Sequence, residues 1–341
     1  MRIVVIHPAF LGDTVFLSPA VRALKARWPE ARLAVVVTPR GEPAARLLPG
    51  CDEVFAYDKR RADRGLSGLW RLGKRLRAFA PELAVVTHFS PRSGALAWLS
   101  GAKRRVGYAP FCTERLRLDR RLPFVDRMLG AAVAAGAAAG DRRLELRGPP
   151  DPGGYADRLL AGAPRPVVGL VPGAEWATKR WGPEKYAVLA ERLASRGGTI
   201  VLLGGPADRA TSARIAELAQ PPVRDTTGNS IAEALAVLAR CDLVVGGDSG
   251  LVHCARGLGC PTVMIFGPTD PGRHHFARGE EPVRLGLECQ PCHDHGPRLC
   301  PLGHHHCMTL LSAEAVAEVA RGLLDARARA SWRRAATEGE R

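Results

Sequence analysis

The chain has 341 residues, of which 46% are hydrophobic and 24% charged, and its formal net charge is +15. This length gives room for two domains of ordinary size, and no apolar run approaches the roughly 18 residues of a membrane-spanning helix. The first residues lack a signal-peptide pattern, so we expect a cytoplasmic protein. The positive charge suits acidic partners, but aromatic residues are sparse at 6% and no basic, aromatic cluster predicts a nucleic-acid surface.

The first part of the chain alternates short apolar runs with helical stretches rich in arginine and alanine. The loop that opens at Pro8 leads to a helix that we place from Ser18, with Pro19 in its first turn and Thr14 as an earlier alternative start. This βαβ alternation predicts a parallel sheet covered by helices, in a domain of residues 1–150. The predicted strands are residues 2–7, 33–38, 54–57, 83–87 and 105–108.

Proline and glycine crowd the middle of the chain, and we interpret residues 151–166 as a linker with one short helix. The alternation then resumes, which predicts a second parallel α/β domain at 167–311, followed by a C-terminal helix and tail at 312–341. Two such domains leave a cleft at the C-terminal edges of their sheets, where ligands of parallel sheets bind. The predicted elements are strands 167–171, 199–203, 243–245 and 262–266 and helices 183–195, 207–219 and 231–239.

The stretch 241–261 carries the strongest local signal for a binding site. A buried strand runs through the glycine turn 246–250 into a helix near Leu251. The backbone N–H groups at that helix start are unpaired and lie at the positive end of the helix dipole, so they can hold a phosphate. Strand, glycine turn and helix also occur in every parallel α/β sheet, where Asp248 or Ser249 would simply cap the helix.

Dinucleotide-dependent redox chemistry and P-loop phosphoryl transfer are disfavoured. No G-x-G-x-x-G follows the first strand of either domain, and no G-x-x-x-x-G-K-[ST] occurs in the chain.

Three further loops follow predicted strands. In 172–181, Thr178 and Lys179 would bring a hydroxyl and a positive charge to the mouth of a site, although a solvated surface is the plainer interpretation. The turn 267–271 can line the same site with its backbone, or be a turn only. In the first domain, Asp13 follows Gly12 at a helix start, where a carboxylate stays ionised and can act as a general base; Asp at such a position is more often only a cap.

Four segments together resemble the family-9 glycosyltransferases, the ADP-heptose:lipopolysaccharide heptosyltransferases, and among them the heptosyltransferase II branch. The resemblance covers nearly the whole chain. It implies a GT-B fold, an α/β architecture of two Rossmann-like parallel domains facing a central cleft, with the acceptor bound by the first domain and the nucleotide-sugar by the second. The segments are AFLGDTVFLSPAVRALK (9–25), PGAEWATKRWGPEKYAVLAERL (172–193), the turn 204–206 and VVGGDSGLVHCARGLGCPTVMIFGPTDP (244–271).

Carried over by position, the resemblance makes Asp13 the base that deprotonates an acceptor hydroxyl and Lys179 the group that neutralises the donor diphosphate. The implied reaction inverts the anomeric centre in a single displacement. No cofactor is expected, because Lys179 and the helix amides can stabilise the leaving ADP without a divalent ion. The other implied substrate contacts are Gly12, Thr14, Thr178, Gly204, Asp248, Ser249, Gly250, Leu251 and His253.

The resemblance also implies the partners: ADP-heptose as donor and the acidic inner core of lipopolysaccharide, at the inner face of the inner membrane, as acceptor. The basic charge of the chain fits that acceptor. No acidic residue directly follows the turn 204–206, since the next one is Asp208. The sequence therefore does not identify the acidic group that contacts the adenosine ribose. The alternatives are a family-9 enzyme with another nucleotide-sugar or acceptor, and a non-catalytic, basic binding protein stapled by a metal.

Nine cysteines fall into two groups. Five scattered ones are expected to be small buried residues. The other four follow the pattern C-x2-C-x7-C-x6-C among several histidines, and they can hold a structural zinc with no catalytic part. The spacing matches no common zinc finger, so reduced thiols in a compact loop, or a disulfide formed in air, remain alternatives. The scattered group is Cys51, Cys112, Cys241, Cys254 and Cys260; the clustered group is Cys289, Cys292, Cys300 and Cys307.

Overall fold

The computed structural model describes residues 1–195 and 197–339, and for residues 330–339 it describes the backbone alone. The chain divides into two compact units. The N-terminal unit comprises residues 1–148 and 272–275, and the C-terminal unit comprises residues 149–271 and those from 276 onward. Among the described helices, none is long and apolar enough to cross a membrane.

A six-stranded parallel sheet in the order β3-β2-β1-β4-β5-β6 organises the N-terminal unit. Its central strands are runs of valine, isoleucine and leucine because both of their faces are covered by helices; residues 3–6, for example, are all fully buried. The strands are β1 (Arg2–Ile6), β2 (Arg32–Val37), β3 (Glu53–Ala56), β4 (Leu83–Val86), β5 (Arg104–Gly107) and β6 (Glu114–Arg115).

Six helices cover this sheet. They are α1 (Leu11–Phe16), α2 (Ser18–Arg27), α3 (Glu42–Ala45), α4 (Gly65–Phe79), α5 (Pro91–Leu99) and α6 (Phe124–Ala134). The helix predicted from Ser18 is present as α2, and the separate helix α1, which was not predicted, precedes it. The Asp13 carboxylate accepts the backbone N–H of Phe10 and supports this earlier start, whereas the Ser18 hydroxyl accepts the N–H of Glu145.

The C-terminal unit repeats the plan, with a second six-stranded parallel sheet in the order β12-β11-β10-β7-β8-β9. Its strands are β7 (Val167–Val171), β8 (Thr199–Leu202), β9 (Val223–Asp225), β10 (Leu243–Gly247), β11 (Thr262–Ile265) and β12 (Glu280–Val283). Its helices are α7 (Tyr155–Leu159), α8 (Pro183–Ala194), α9 (Arg209–Leu218), α10 (Ile231–Leu238), α11 (Gly250–Gly257), α12 (His306–Thr309) and α13 (Ala313–Gly339). The predicted tail residues 340–341 lie outside the described residues.

Two differences from the sequence-based prediction concern strands. The strands β6, β9 and β12 were missed because they are short edge strands that carry charged residues, and such strands lack an apolar run. The predicted glycine turn 246–250 is shorter than expected, since Gly246 and Gly247 still pair as part of β10 with β7 and β11. The turn itself is therefore only Asp248 and Ser249.

Strand order brings specific loops together in each unit. The strands β1 and β4 are hydrogen-bonded neighbours in the first sheet, and β7 and β10 in the second. The two strands of each pair lead to next strands that lie towards opposite edges of the sheet. This leaves a crevice at the C-terminal ends of the pair, and open parallel sheets bind their ligands in such a crevice. The loops that hold Asp13, Lys179 and Asp248 all follow strands of these two pairs.

We expect Gly246→Ala to destabilise the protein. A Cβ at this position would lie 2.7 Å from Val252 Cγ2 and 2.8 Å from the Val171 carbonyl oxygen, because α11 packs directly on the strand. Overpacking of this kind costs about 1–3 kcal/mol, measurable as a lower midpoint of urea unfolding. The control is Gly322→Ala, where no atom lies within 4 Å of the added Cβ and a helical alanine adds stability. An unchanged midpoint for Gly246→Ala would contradict the packing argument.

Candidate active site

An ion pair between Lys179 and Asp248 lies at the centre of the C-terminal unit's switch point, the crevice at the C-terminal ends of β7 and β10. Lys179 closes a short 3-10 turn after β7, and Asp248 directly follows β10. The Lys179 Nζ lies 2.6 Å from Asp248 Oδ2, and the side chains are 11% and 10% exposed. The two residues are 69 positions apart, so only the pairing of β7 with β10 brings them into contact.

Asp248 is the acceptor for further donors. Thr269 Oγ1 donates to Asp248 Oδ2 at 2.9 Å, and His253 Nε2 lies 3.0 Å from Asp248 Oδ1. An ionised carboxylate can only accept hydrogen bonds, so the lysine, the threonine and the histidine all point donors at it. The predicted association of Lys179, Asp248 and His253 is thus present as one network, which also contains Thr269.

Arg256 fixes the tautomer of His253. Its Nη1 lies 3.3 Å from His253 Nδ1, and because a guanidinium can only donate, Nδ1 must accept and Nε2 must carry the proton. The imidazole is therefore neutral and donates to Asp248. Burial lowers the pKa of His253 against the opposing effect of Asp248, which agrees with a neutral ring.

Arg256 is itself held in a buried ion pair. Its guanidinium lies 2.9 Å from Glu280 Oε2, and the side chains are 1% and 9% exposed; the ring of Phe276 lies 4.8 Å away. Sequence reasoning missed Arg256. The available signal was its spacing of three residues from His253, which places both on one face of a helix.

The helix N-terminus beside this network offers unpaired donors. Ser249 is the N-cap residue of α11, but its side chain makes no cap hydrogen bond. The Ser249 Oγ is buried and has no hydrogen-bond partner among the described residues. The first helical amides, at Gly250 and Leu251, also lack intrahelical acceptors, because no helical carbonyl precedes them by four residues. Together with Ser249 Oγ they form a cradle for an anion.

Two other predicted substrate contacts have structural partners. Thr178 is buried, its hydroxyl donates to the Pro297 carbonyl at 2.6 Å, and its carbonyl lies 2.7 Å from His305 Nε2. At Gly204 a Cβ would lie 2.9 Å from the Asp208 side chain. The Asp208 carboxylate accepts the backbone N–H of Gly205 at 2.9 Å, so this acidic group closes its own turn.

In the N-terminal unit, Asp13 is the third residue of α1. Its Oδ2 accepts the Phe10 N–H at 3.1 Å, which is the cap geometry that sequence reasoning weighed against a catalytic role. The cap bond also fixes where the carboxylate lies. Gly12 and Thr14 are buried, and the Thr14 hydroxyl is directed at the Phe10 carbonyl at 3.4 Å, so Thr14 shapes the loop from inside.

Basic groups surround the ends of β1, β3 and β4 in the same unit. His7 Nδ1 lies 2.8 Å from Thr87 Oγ1, and Lys59 Nζ donates to the Pro8 carbonyl at 2.9 Å. Burial is the main cause that lowers the pKa of Lys59, and the positive charges of Arg60 and Arg92 lower it further. Burial, with a smaller contribution from the positive charge of Lys59, lowers the pKa of His88 to about 4. Sequence reasoning did not select His7, Lys59 and His88 as site residues, although each lies within three positions of the end of a strand.

Three of the four clustered cysteines, Cys289, Cys292 and Cys300, lie in the loop that follows β12, and Cys307 lies in α12. Burial, with smaller contributions from Cys292, Cys300 and Cys289, raises the pKa of Cys307 to about 11. No three of these four sulfur atoms lie within 4.8 Å of one another. Among the scattered cysteines, Cys241, Cys254 and Cys260 are buried as expected, and Cys51 and Cys112 are partly buried.

These features define an α/β protein that presents an anion cradle and a lysine at one switch point and basic side chains at the other. Residues 69–302 match the family model for glycosyltransferase family 9 (heptosyltransferase). The chain is 28% identical to lipopolysaccharide heptosyltransferase 2 of Salmonella typhimurium over 292 residues, covering 80% of this chain and 84% of that protein. It is 31% identical to lipopolysaccharide heptosyltransferase 1 of Pseudomonas aeruginosa over 320 residues, covering 86% of each.

A solved structure shows the same fold. The glycosyl transferase of family 9 from Veillonella parvula superimposes with a TM-score of 0.84 at 22% identity, covering 95% of this chain and 97% of that one. The chain belongs to glycosyltransferase family 9. The resemblance and the GT-B fold class predicted from the motifs are thereby confirmed, and the protein is a glycosyltransferase.

We expect Glu280→Gln to destabilise the C-terminal unit by roughly 3 kcal/mol, because it removes the charged partner of a buried guanidinium. Chemical denaturation at neutral pH measures the loss. The neighbouring Glu281→Gln is the matched control, since Glu281 is exposed and a surface substitution changes stability by about 0.5 kcal/mol or less. Equal stability of the two variants would show that the Arg256–Glu280 pair contributes nothing.

Proposed function

We propose that this protein transfers heptose from ADP-heptose to the inner core of lipopolysaccharide, with inversion at the anomeric carbon. Family membership supports the reaction class, and the relatives at 28% and 31% identity are named lipopolysaccharide heptosyltransferases. The observation that carries the proposal is the N-terminal end of α11, which directly follows Asp248, the ion-pair partner of Lys179. Ser249 Oγ is buried there without a partner among the described residues, and the first two helical amides have no intrahelical acceptor. This arrangement suits the diphosphate of a nucleotide-sugar.

In the proposed donor site, the diphosphate is held by Ser249 Oγ and by the amides of Gly250 and Leu251. Asp248 keeps the Lys179 ammonium in place, because Nζ donates to Oδ2 at 2.6 Å and to the Asp248 carbonyl at 3.4 Å. The third proton of Nζ is available to the β-phosphate. Because His253 and Thr269 are neutral, the charges within this network are those of the Asp248 carboxylate and the Lys179 ammonium, which neutralise each other. Negative charge that develops on the leaving phosphate is then stabilised by groups already in position.

The proposed step is one displacement. The acceptor hydroxyl gives its proton to the Asp13 carboxylate while its oxygen forms a bond to the anomeric carbon of heptose. The bond from that carbon to the β-phosphate oxygen breaks, and its electron pair leaves with ADP. Attack opposite the leaving group inverts the configuration. The cap bond from Phe10 N–H to Oδ2 holds the carboxylate and favours its ionised form.

The N-terminal unit supports an acidic acceptor. Lys59 lies beside Arg60 and Arg92, and this cluster can pair with carboxylates or phosphates of an inner-core saccharide. A groove of about 630 Å³ in the same unit is lined by Phe89 and by residues 115–121, four of which are arginine and two leucine. A lining of this kind fits an acidic sugar carried on a lipid, and we place the enzyme at the inner face of the inner membrane for that reason.

The direct test incubates the protein with ADP-heptose and a heptosyl-Kdo2-lipid A acceptor and measures the mass of the lipid product. We expect a gain of one heptose, and for Asp13→Asn a fall in kcat of at least about 100-fold, since general bases contribute about 10²–10⁴. Asparagine still offers an oxygen to the Phe10 N–H, so the loop should be retained. Asp157→Asn, at an exposed carboxylate, is the control. Full activity of Asp13→Asn would refute the assignment of the base.

A second prediction concerns the donor site. Lys179→Met should weaken binding of ADP by roughly 10–100-fold, because a charge-assisted hydrogen bond of about 1.5–3 kcal/mol is lost. Thermal stabilisation by ADP-heptose, ADP and a panel of other nucleotide-sugars measures this, since a ligand raises stability by mass action. Lys103→Met, at an exposed lysine, should bind as the wild type does. Preference for another nucleotide-sugar would replace heptose in the proposal.

A further inference from the structure

The helix α4 of the N-terminal unit has two faces of different character. Its inner face, which includes Leu72, Leu76 and Phe79, is buried in the core. On its outer face Leu66 is 84% exposed and Trp70 is 54% exposed. The two residues are four positions apart and are therefore neighbours on one side of the helix. A single exposed leucine is ordinary, but a leucine beside a tryptophan forms an apolar patch that is open to solvent.

Exposed tryptophan occurs in the described chain on α4 and α5 alone. Of the five tryptophans whose side chains are described, three are partly or fully buried, and Trp70 and Trp98 are 54% and 59% exposed. Trp98 lies on α5, and α5 packs directly on α4, because a Cβ at Gly73 would lie 2.7 Å from Leu99 Cβ. Tryptophan is enriched where proteins meet the boundary between lipid headgroups and acyl chains, since its ring is apolar and its N–H is a donor.

The same two helices carry charge of one sign. Residues 65–103 contain six lysines and arginines and one acidic residue, Glu82. The Lys74 Nζ lies 3.6 Å from the centroid of the Trp70 ring, so positive charge and indole are adjacent. Basic side chains next to exposed tryptophan and leucine are typical of helices that lie on anionic lipid. Four of the six basic residues lie exposed on α4: Arg71, Lys74, Arg75 and Arg77.

The first turn of α4 lies at the same sheet edge as the basic cluster around Lys59. The loop of residues 57–64 contains Lys59 and joins the C-terminal end of β3 to α4. This loop packs on the helix, since a Cβ at Gly68 would collide with the Asp63 backbone. Leu66 therefore lies beside the edge at which the acidic saccharide is proposed to bind.

We propose that the outer face of α4, together with Trp98 of α5, docks on a lipid surface that carries negative charge. Leu66 and the two indole rings enter the boundary below the headgroups, and the basic side chains pair with lipid phosphates. A second copy of this chain fits the face poorly, because a symmetric contact would set two such faces of like charge against each other.

Docking would bring the edge that holds Lys59 close to the lipid surface. A saccharide carried on a lipid could then reach the basic cluster while its acyl chains stay in the bilayer. The docking itself stands on the exposed face of α4, whereas its benefit to sugar transfer rests on the proposed function.

Sedimentation with lipid vesicles tests the electrostatic part. We expect the protein to bind vesicles of phosphatidylethanolamine and phosphatidylglycerol, to bind phosphatidylcholine vesicles far more weakly, and to be released by salt. The double variant Lys74→Gln/Arg75→Gln should bind the anionic vesicles at least about tenfold more weakly, since each basic residue at such a surface contributes about fivefold. Both side chains are exposed, so the unfolding midpoint should stay at the wild-type value.

The matched control for charge is Arg278→Gln/Arg284→Gln, which removes two exposed arginines of the C-terminal unit. It should bind anionic vesicles as the wild type does. Equal loss in the two double variants would reduce the effect to net charge and overturn the proposal. No binding to anionic vesicles would overturn it as well, and a dimer that Trp70→Ser dissociates would assign the face to a second copy.

The apolar part has a variant of its own. Leu66→Ser should weaken binding to anionic vesicles about tenfold, because the leucine no longer leaves water on docking. Leu299→Ser is the control, since Leu299 is 82% exposed in the C-terminal unit, and it should bind as the wild type does. Lipids with brominated acyl chains should quench the wild-type fluorescence and quench Trp70→Phe less. Equal quenching of the two proteins would show that Trp70 stays outside the bilayer and would contradict the docking geometry.

A separate assay links docking to the proposed transfer. Heptose transfer to an acceptor lipid in anionic vesicles is compared with transfer to the same saccharide after its acyl chains are removed. Lys74→Gln/Arg75→Gln should raise KM for the lipid acceptor about tenfold and leave KM for the soluble saccharide unchanged. An equal rise for both acceptors would place these residues in sugar binding and refute the docking role. If the protein transfers heptose to neither acceptor, the proposed function fails while docking stands on the vesicle measurements.

Discussion

The carboxylate of Asp248 is the group on which the rest of the C-terminal unit's site depends. It is 10% exposed and receives donors from Lys179, Thr269 and His253. A carboxylate in such a position is costly unless it is paired and hydrogen-bonded, so each of these neighbours has a fixed orientation. Arg256 determines the tautomer of His253, and Glu280 neutralises Arg256. These two contacts stabilise the arrangement around Asp248. The lysine is thereby held in one place before any substrate binds.

The two units use one sheet plan for different electrostatics. Each sheet places its first and fourth strands side by side, and each site is built from loops that follow these strands and other strands of the same sheet. In the C-terminal unit the loops create a lysine, a carboxylate and free helix amides, which suits a diphosphate. In the N-terminal unit they collect basic groups such as Lys59, together with the capped carboxylate of Asp13. In the proposed function both arrangements serve glycosyl transfer, the reaction class of the family.

Several hydroxyl groups near these sites serve the scaffold. Thr178 ties the lysine turn to the cysteine loop, and Thr14 is directed at the Phe10 carbonyl inside its own loop. Ser249 is the exception, since its buried Oγ has no partner among the described residues. Because a buried polar atom is normally satisfied, this hydroxyl distinguishes the α11 terminus from an ordinary strand-to-helix turn.

The sequence by itself determined the two parallel α/β domains and most of the central strands, because strands buried on both faces are apolar runs. It also supplied the residue types of the proposed donor site, because those motifs stand next to the strands. It could not show the edge strands, whose charged residues lack that pattern, or the separate helix that begins at Leu11. Only the tertiary structure decided that Lys179 contacts Asp248 and that Arg256 supports His253. The first contact spans 69 residues and depends on β7 pairing with β10, and strand order is set by the packing of the whole sheet rather than by any local stretch.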